Sequence, residues 1–233
     1  MTIPQRTYRY YDLVMVAFVV VLVCSNLIGP AKAAQLDLPV LGKVTFGAGV
    51  LFFPISYVFG DILTEVYGYG RDRRVIWAGF AALVFASIMA WLVVALPPAP
   101  TWPNQSVYEI AFGNTWRIAG ASMIAFLCGS FVNSYVLAKM KVASVGRNMS
   151  ARFVASTVAG EAIDSALFYP LAFWNSGIMP NDLVMTLMVS QFIAKTGVEV
   201  VMLPVTTRVV TALKRAENED YFDRGTDFNP FKI

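Results

Sequence analysis

The sequence predicts an all-α membrane protein of six transmembrane helices, and three observations carry that expectation. Of its 233 residues 57% are hydrophobic and only 14% charged, whereas a soluble domain carries about 25% charged residues. The apolar residues fall into six blocks, each close to the roughly 20 residues that cross a bilayer. The lysines and arginines cluster in alternate connections between those blocks, as the positive-inside rule requires of a multi-pass chain.

The blocks lie at 11–29, 44–67, 75–96, 115–138, 151–173 and 183–207. Gly29-Pro30 ends the first, and its length favours a span over the shorter apolar core of a cleaved signal peptide. Between the first two, Pro39 and Gly42 among β-branched residues suggest a short outer β-hairpin near 36–46. Pro97-Pro98-Ala99-Pro100 ends the third block, and Asn175-Ser176-Gly177 with Pro180-Asn181-Asp182 separates the last two. From about 216 the chain is polar, which predicts a loosely ordered tail on a single six-span domain.

Orientation follows from the cations. Arg6 and Arg9, Arg71, Arg73 and Arg74, Lys139 to Arg152, and Arg208 to Lys232 share one side if there are six spans. Loops on the other side carry Lys32 and Lys43. Both termini are therefore expected in the cytoplasm.

Histidine is absent, and Cys24 and Cys128 sit singly in apolar blocks. That pattern offers no metal-ligand cluster and no nucleophile paired with a base, so neither an enzyme nor a cofactor is expected. Nothing points to a nucleic acid partner; membrane lipid is the expected surroundings, and a homo-oligomer stays open.

Polar residues inside the blocks are the functional candidates, because an ionised side chain at the centre of a membrane helix costs about 2.5–3.5 kcal/mol. Glu161 and Asp164 stand three apart on one helix face, and Gln191, Lys195 and Glu199 recur every four residues on another. Facing lipid, the four charged members would cost roughly 10–14 kcal/mol, so they must face protein or a wet cavity. Asn133, flanked by Ser130 and Ser134, and Asn26 beside Ser25 add neutral polar groups. Asp61 and Glu65 close the second block just before the Arg71–Arg74 cluster, and either line a site or pair with those arginines. The aromatics Phe52, Phe53, Tyr57 and Phe59 are more often packing or lipid-facing residues than a substrate platform. The structural alternative is that the charged residues simply tie helices together.

The run Phe59-Gly60-Asp61-Ile62-Leu63-Thr64-Glu65-Val66-Tyr67-Gly68, with the ten residues before it, closely resembles the queuosine precursor transporter family, also called vitamin uptake transporter-like. The likeness extends to the first span with Asn26, to Glu161-Ala162-Ile163-Asp164-Ser165 and to the span around Lys195. It implies a six-helix fold similar to the substrate-binding components of energy-coupling-factor vitamin transporters. It also implies inner-membrane import of 7-deazapurines, chiefly 7-cyano- and 7-aminomethyl-7-deazaguanine, for the queuosine modification of tRNA. For such a ligand, Glu161 or Asp164 is expected to accept the guanine-like N–H edge, and Lys195 or Gln191 to donate to the carbonyl. Glu199 would tune Lys195, Asn133 and Asn26 would complete a polar ring, and Phe52 or Tyr57 would stack. The alternative is a binding subunit for a vitamin or another nucleobase-like solute, driven by a separate energising module.

Overall fold

Glycine and proline set the main boundaries of the chain. The computed structural model describes residues 7–28, 33–38, 42–47, 52–113, 116–177 and 180–232. Its elements are α1 (Tyr11–Leu27), β1 (Ala33–Leu38), β2 (Gly42–Gly47), α2 (Phe53–Tyr67), α3 (Tyr69–Ala95), α4 (Gln105–Phe112), α5 (Trp116–Ala143), α6 (Met149–Phe173) and α7 (Asn181–Glu217). Pro54 opens α2, where its missing N–H costs nothing. Gly68 alone separates α2 from α3 at φ +86° and ψ 162°, a conformation essentially reserved for glycine. Its N–H caps α2 through Thr64, and its carbonyl accepts from the Arg71 and Asp72 amides at the start of α3.

The expectation of six membrane-length helices is corrected. The block 44–67 does not begin as helix, because β2 occupies Gly42–Gly47 and α2 starts only at Phe53. With 15 residues, α2 is about 22 Å long, short of the roughly 30 Å hydrocarbon core. β1 and β2 pair antiparallel, in register from Ala33↔Gly47 to Leu38↔Gly42; the turn expected at Pro39 lies outside the described residues. Among the described residues, three segments can cross a membrane by length and composition: Tyr69–Ala95, Gln105–Ala143 (which contains α5) and Asn181–Glu217. α1 is apolar but has only 17 residues. α6 has 25 residues, but it carries Glu161 and Asp164 among several small polar side chains.

The helices pack around a close α5–α6 contact. A Cβ on Gly160 would lie 2.9 Å from the Gly129 carbonyl oxygen and 2.8 Å from the Asn133 Cβ, so only glycine admits this approach. At the end holding both termini, Leu63, Val66, Tyr67, Leu137 and Phe153 are fully buried. Glu65 sits at that end, within 2.8 Å of Arg152, 2.6 Å of Lys214 and 3.6 Å of Lys141.

The tail is docked rather than loosely ordered. The Tyr221 amide donates to the Val66 carbonyl, and Asp223 accepts from the Tyr69 amide. Arg73 donates to the Asp227 and Asn229 carbonyls, and the Trp77 indole to that of Pro230. Asp220 bridges Lys141 at 2.6 Å and Lys214 at 2.7 Å. Glu217 accepts from the Arg9 and Tyr10 amides and the Tyr67 hydroxyl, so the N-terminal segment shares this end.

Candidate functional site

A cavity of about 880 Å³ is lined by residues of all seven described helices, α1 to α7. Its lining reaches from Trp91 and Ala95 near the end of α3 to Asp72 in that helix's first turn. That separation is about 35 Å along the helix. Trp91 is 48% exposed whereas Asp72, Leu63 and Leu137 are fully buried, so the mouth lies at the end opposite the termini and the blind end near Asp72.

One wall carries a three-charge cluster. The Lys195 ammonium on α7 lies 2.7 Å from Asp164 and 3.1 Å from Glu161, both on α6. The 3-residue spacing on α6 presents both carboxylates to one cation. Asp164 and Lys195 line the cavity together with Gln191, one helical turn before Lys195. Glu161 is 1% exposed and stands behind them, outside the lining.

Asn133, Tyr57 and Asn26 also line the cavity. Asn133 donates to Asp61 at 3.0 Å. Asn26 accepts from the Ser122 hydroxyl at 2.8 Å and donates to the Leu22 carbonyl, which fixes its amide at the α1–α5 contact. Tyr57 directs its hydroxyl toward Gly129, beside Asp164.

The remaining candidates lie elsewhere. Asp61 is buried behind Asn133, and Glu199 accepts from the Thr157 hydroxyl between α6 and α7. Glu65 belongs to the ion cluster at the termini end, and its partners are Arg152, Lys214 and Lys141 rather than the Arg71–Arg74 run. Phe52 precedes α2 and is not part of the lining.

Among the lining residues that sequence reasoning missed are Phe168, Tyr169 and Asp72. Phe168 and Tyr169 follow Asp164 by about one helical turn, a spacing that could have placed them on the cavity side. Asp72 was hidden inside Arg71-Asp72-Arg73-Arg74, which reads as a solvated charge run. It is fully buried, and its Oδ2 accepts from the Thr64 and Ser134 hydroxyls.

Chemically, the site offers acceptors beside a fixed ammonium and several aromatic faces. That suits a flat, polar-edged small molecule. Among the described residues no group of His, Cys, Asp or Glu could hold a metal ion.

Comparison with known proteins agrees with a transport role. A family model described as "Putative vitamin uptake transporter" matches residues 47–209. The chain is 28% identical over 165 residues to a "Probable queuosine precursor transporter" of Bacillus subtilis (strain 168), covering 70% of this chain and 68% of that one. It is 27% identical over 181 residues to the "Queuosine precursor transporter" of Escherichia coli (strain K12), covering 76% and 75%. No solved structure matches. These relatives are transporters rather than enzymes, and a match over more than half of its length makes this chain a member of the vitamin uptake transporter family, to which queuosine precursor transporters belong.

Proposed function

We propose that the chain imports queuosine precursors, 7-cyano- and 7-aminomethyl-7-deazaguanine, across the bacterial inner membrane. The observation that carries this reading is the Asp164–Lys195 pair on the wall of the long cavity, in a chain related to two queuosine precursor transporters. A 7-deazaguanine has adjacent ring and exocyclic N–H donors and, next to them, a carbonyl acceptor. Asp164 accepts from the donors, while Lys195 or Gln191 donates to the carbonyl. Such charge-assisted contacts are stronger than neutral ones and are oriented by the fixed ion pair. Glu161 holds the ammonium from behind, and Asn133 and Asn26 supply amides from other parts of the lining. Tyr57, Phe168 or Tyr169 offers a ring face for stacking, which tolerates different substituents on the base.

The termini, with their arginine-rich connections, lie on the cytoplasmic side in this reading, so the cavity faces outward and its blind end faces the cytoplasm. Proteoliposomes containing this chain alone are the direct test. Accumulation of 7-cyano-7-deazaguanine, lost on Lys195→Met, is expected. Uptake of a vitamin but of neither precursor would overturn the substrate. Uptake only after adding an energising module would overturn the self-sufficient transporter.

A further inference from the structure

The blind end of the cavity contains a carboxylate that the site described above does not use. Asp72 lines that end, is fully buried, and forms no ion pair with any described residue. Its neighbours in the arginine run are engaged elsewhere. Arg73 donates to tail carbonyls, and Arg71 donates to the Tyr67 carbonyl and lies over the Tyr8 ring. Oδ2 takes both available hydroxyls, those of Thr64 and Ser134, while Oδ1 has no donor. A buried carboxylate oxygen without a donor is costly, and a ligand that supplies one removes the cost.

The position is as informative as the missing donor. Asp164 packs level with Gly129 of α5, where an added Cβ would lie 3.0 Å from the Asp164 Cβ. Asp72 is level with Ser134 of the same helix, which donates to it. Five residues of helix place the two carboxylates about 7–8 Å apart along the bundle axis. That matches the length of a purine-sized bicycle bearing a one-carbon arm. Ser130, Asn133 and Ser134 line the path between them without adding a cation.

We infer that Asp72 is a second binding carboxylate at the blind end of the cavity, one that takes the protonated amine of a ligand whose other edge meets Asp164 and Lys195. Asp72 thereby sets a preference for amine-bearing over uncharged forms of the same bicycle. This rests on the substrate reading above, and the test separates the two.

Calorimetric titration of the purified full chain with 7-aminomethyl- and 7-cyano-7-deazaguanine reads the difference, because the ligands share a base and differ in the charge of the arm. Asp72→Asn, which keeps an acceptor for both hydroxyls, is expected to weaken the aminomethyl form about tenfold, the effect of one lost charge-assisted contact. The cyano form should change by less than about twofold on that scale. Ser134→Ala frees Oδ2 and is expected to tighten the aminomethyl form, a gain that a merely structural Asp72 would not give. Equal losses for both ligands, or none in Asp72→Asn, would overturn the inference. If Asp72→Asn does not fold, Ser134→Ala decides, and unchanged aminomethyl binding overturns it. If the wild type binds neither precursor, the substrate reading fails. Asp72 is then judged with benzylammonium against benzyl alcohol: selective binding of the cation, lost in Asp72→Asn, supports the inference, and its absence overturns it.

Discussion

Replacing Lys195 by Met separates a binding cluster from a purely structural one. The ammonium lies 2.7 Å from Asp164 and 3.1 Å from Glu161. At an effective dielectric constant of 20 these pairs are worth roughly 6 and 5 kcal/mol. Desolvation, several kcal/mol per ion, offsets much of that gain. Removing the cation alone nevertheless leaves two facing carboxylates uncompensated, and such removals cost about 3–5 kcal/mol. Lys195→Met should therefore lower the melting temperature of the purified protein by about 6–20 °C. The triple variant Glu161→Gln/Asp164→Asn/Lys195→Met removes all three charges together and should recover most of that loss, because a neutralised cluster needs no cation. Uptake distinguishes the two roles. If the cluster binds substrate, the stable triple variant still fails to transport 7-cyano-7-deazaguanine in proteoliposomes. A triple variant with normal uptake would refute the binding role, and an unshifted melting temperature in Lys195→Met would refute the ion-pair argument itself.

Glu65→Gln leaves Arg152, Lys214 and Lys141 without their shared carboxylate; a loss of about 3–5 kcal/mol is expected in thermal unfolding. Gly68→Ala forces a glycine-only backbone and drives a Cβ to 2.2 Å from the Tyr221 ring. A cost of about 1–3 kcal/mol should appear together with faster trypsin cleavage after the exposed Arg224, as the tail is displaced. Burial raises the Asp220 carboxyl, but hydrogen bonds from Lys141 and Lys214 outweigh it and hold the group below the ordinary aspartate range. Its contribution is thus present above the unfolded value of about 3.9 and is lost as pH falls through the lowered one. Because Asp220 is 48% exposed, that contribution is about 1 kcal/mol or less. Asp220→Asn should flatten the acid limb of the melting curve accordingly.

Much of the site was legible because helical spacing is rigid. Glu161 with Asp164, and Gln191 with Lys195, share faces at intervals of three and four residues, and the fold brings those faces together. What was not legible depends on contacts distant in sequence. Nothing in 44–67 shows where strand gives way to helix, since Val44 and Thr45 suit either state within an apolar run. The polar tail looks unstructured by composition, yet its backbone carbonyls are held by Arg73 and Trp77, more than 150 residues earlier in the chain. Asp72 escaped notice because a carboxylate between arginines reads as solvated, whereas the turn at Gly68 rotates it inward to Thr64 and Ser134.

The distribution of buried charge gives the cavity its character. At the termini end, Glu65 and Asp220 are matched in charge by Lys141, Arg152 and Lys214. Around the cavity the balance reverses. Asp61, Asp72, Glu161, Asp164 and Glu199 are all buried, and the one described cation ion-paired with any of them is Lys195. Hydroxyls and an amide from Thr64, Ser134, Thr157 and Asn133 satisfy some of their oxygens, while Oδ1 of Asp72 has no donor. An excess of acidic acceptors around a cavity favours permeants that bring donors or positive charge, and disfavours anions by the same argument. A vitamin bearing a carboxylate would meet this wall at a disadvantage, whereas a donor-rich deazaguanine would meet it with its N–H edge. Adding 7-carboxy-7-deazaguanine to the ligand pair tests that argument directly. It should bind more weakly than the cyano form, and binding as tight as the aminomethyl form would refute the acidic-cavity account.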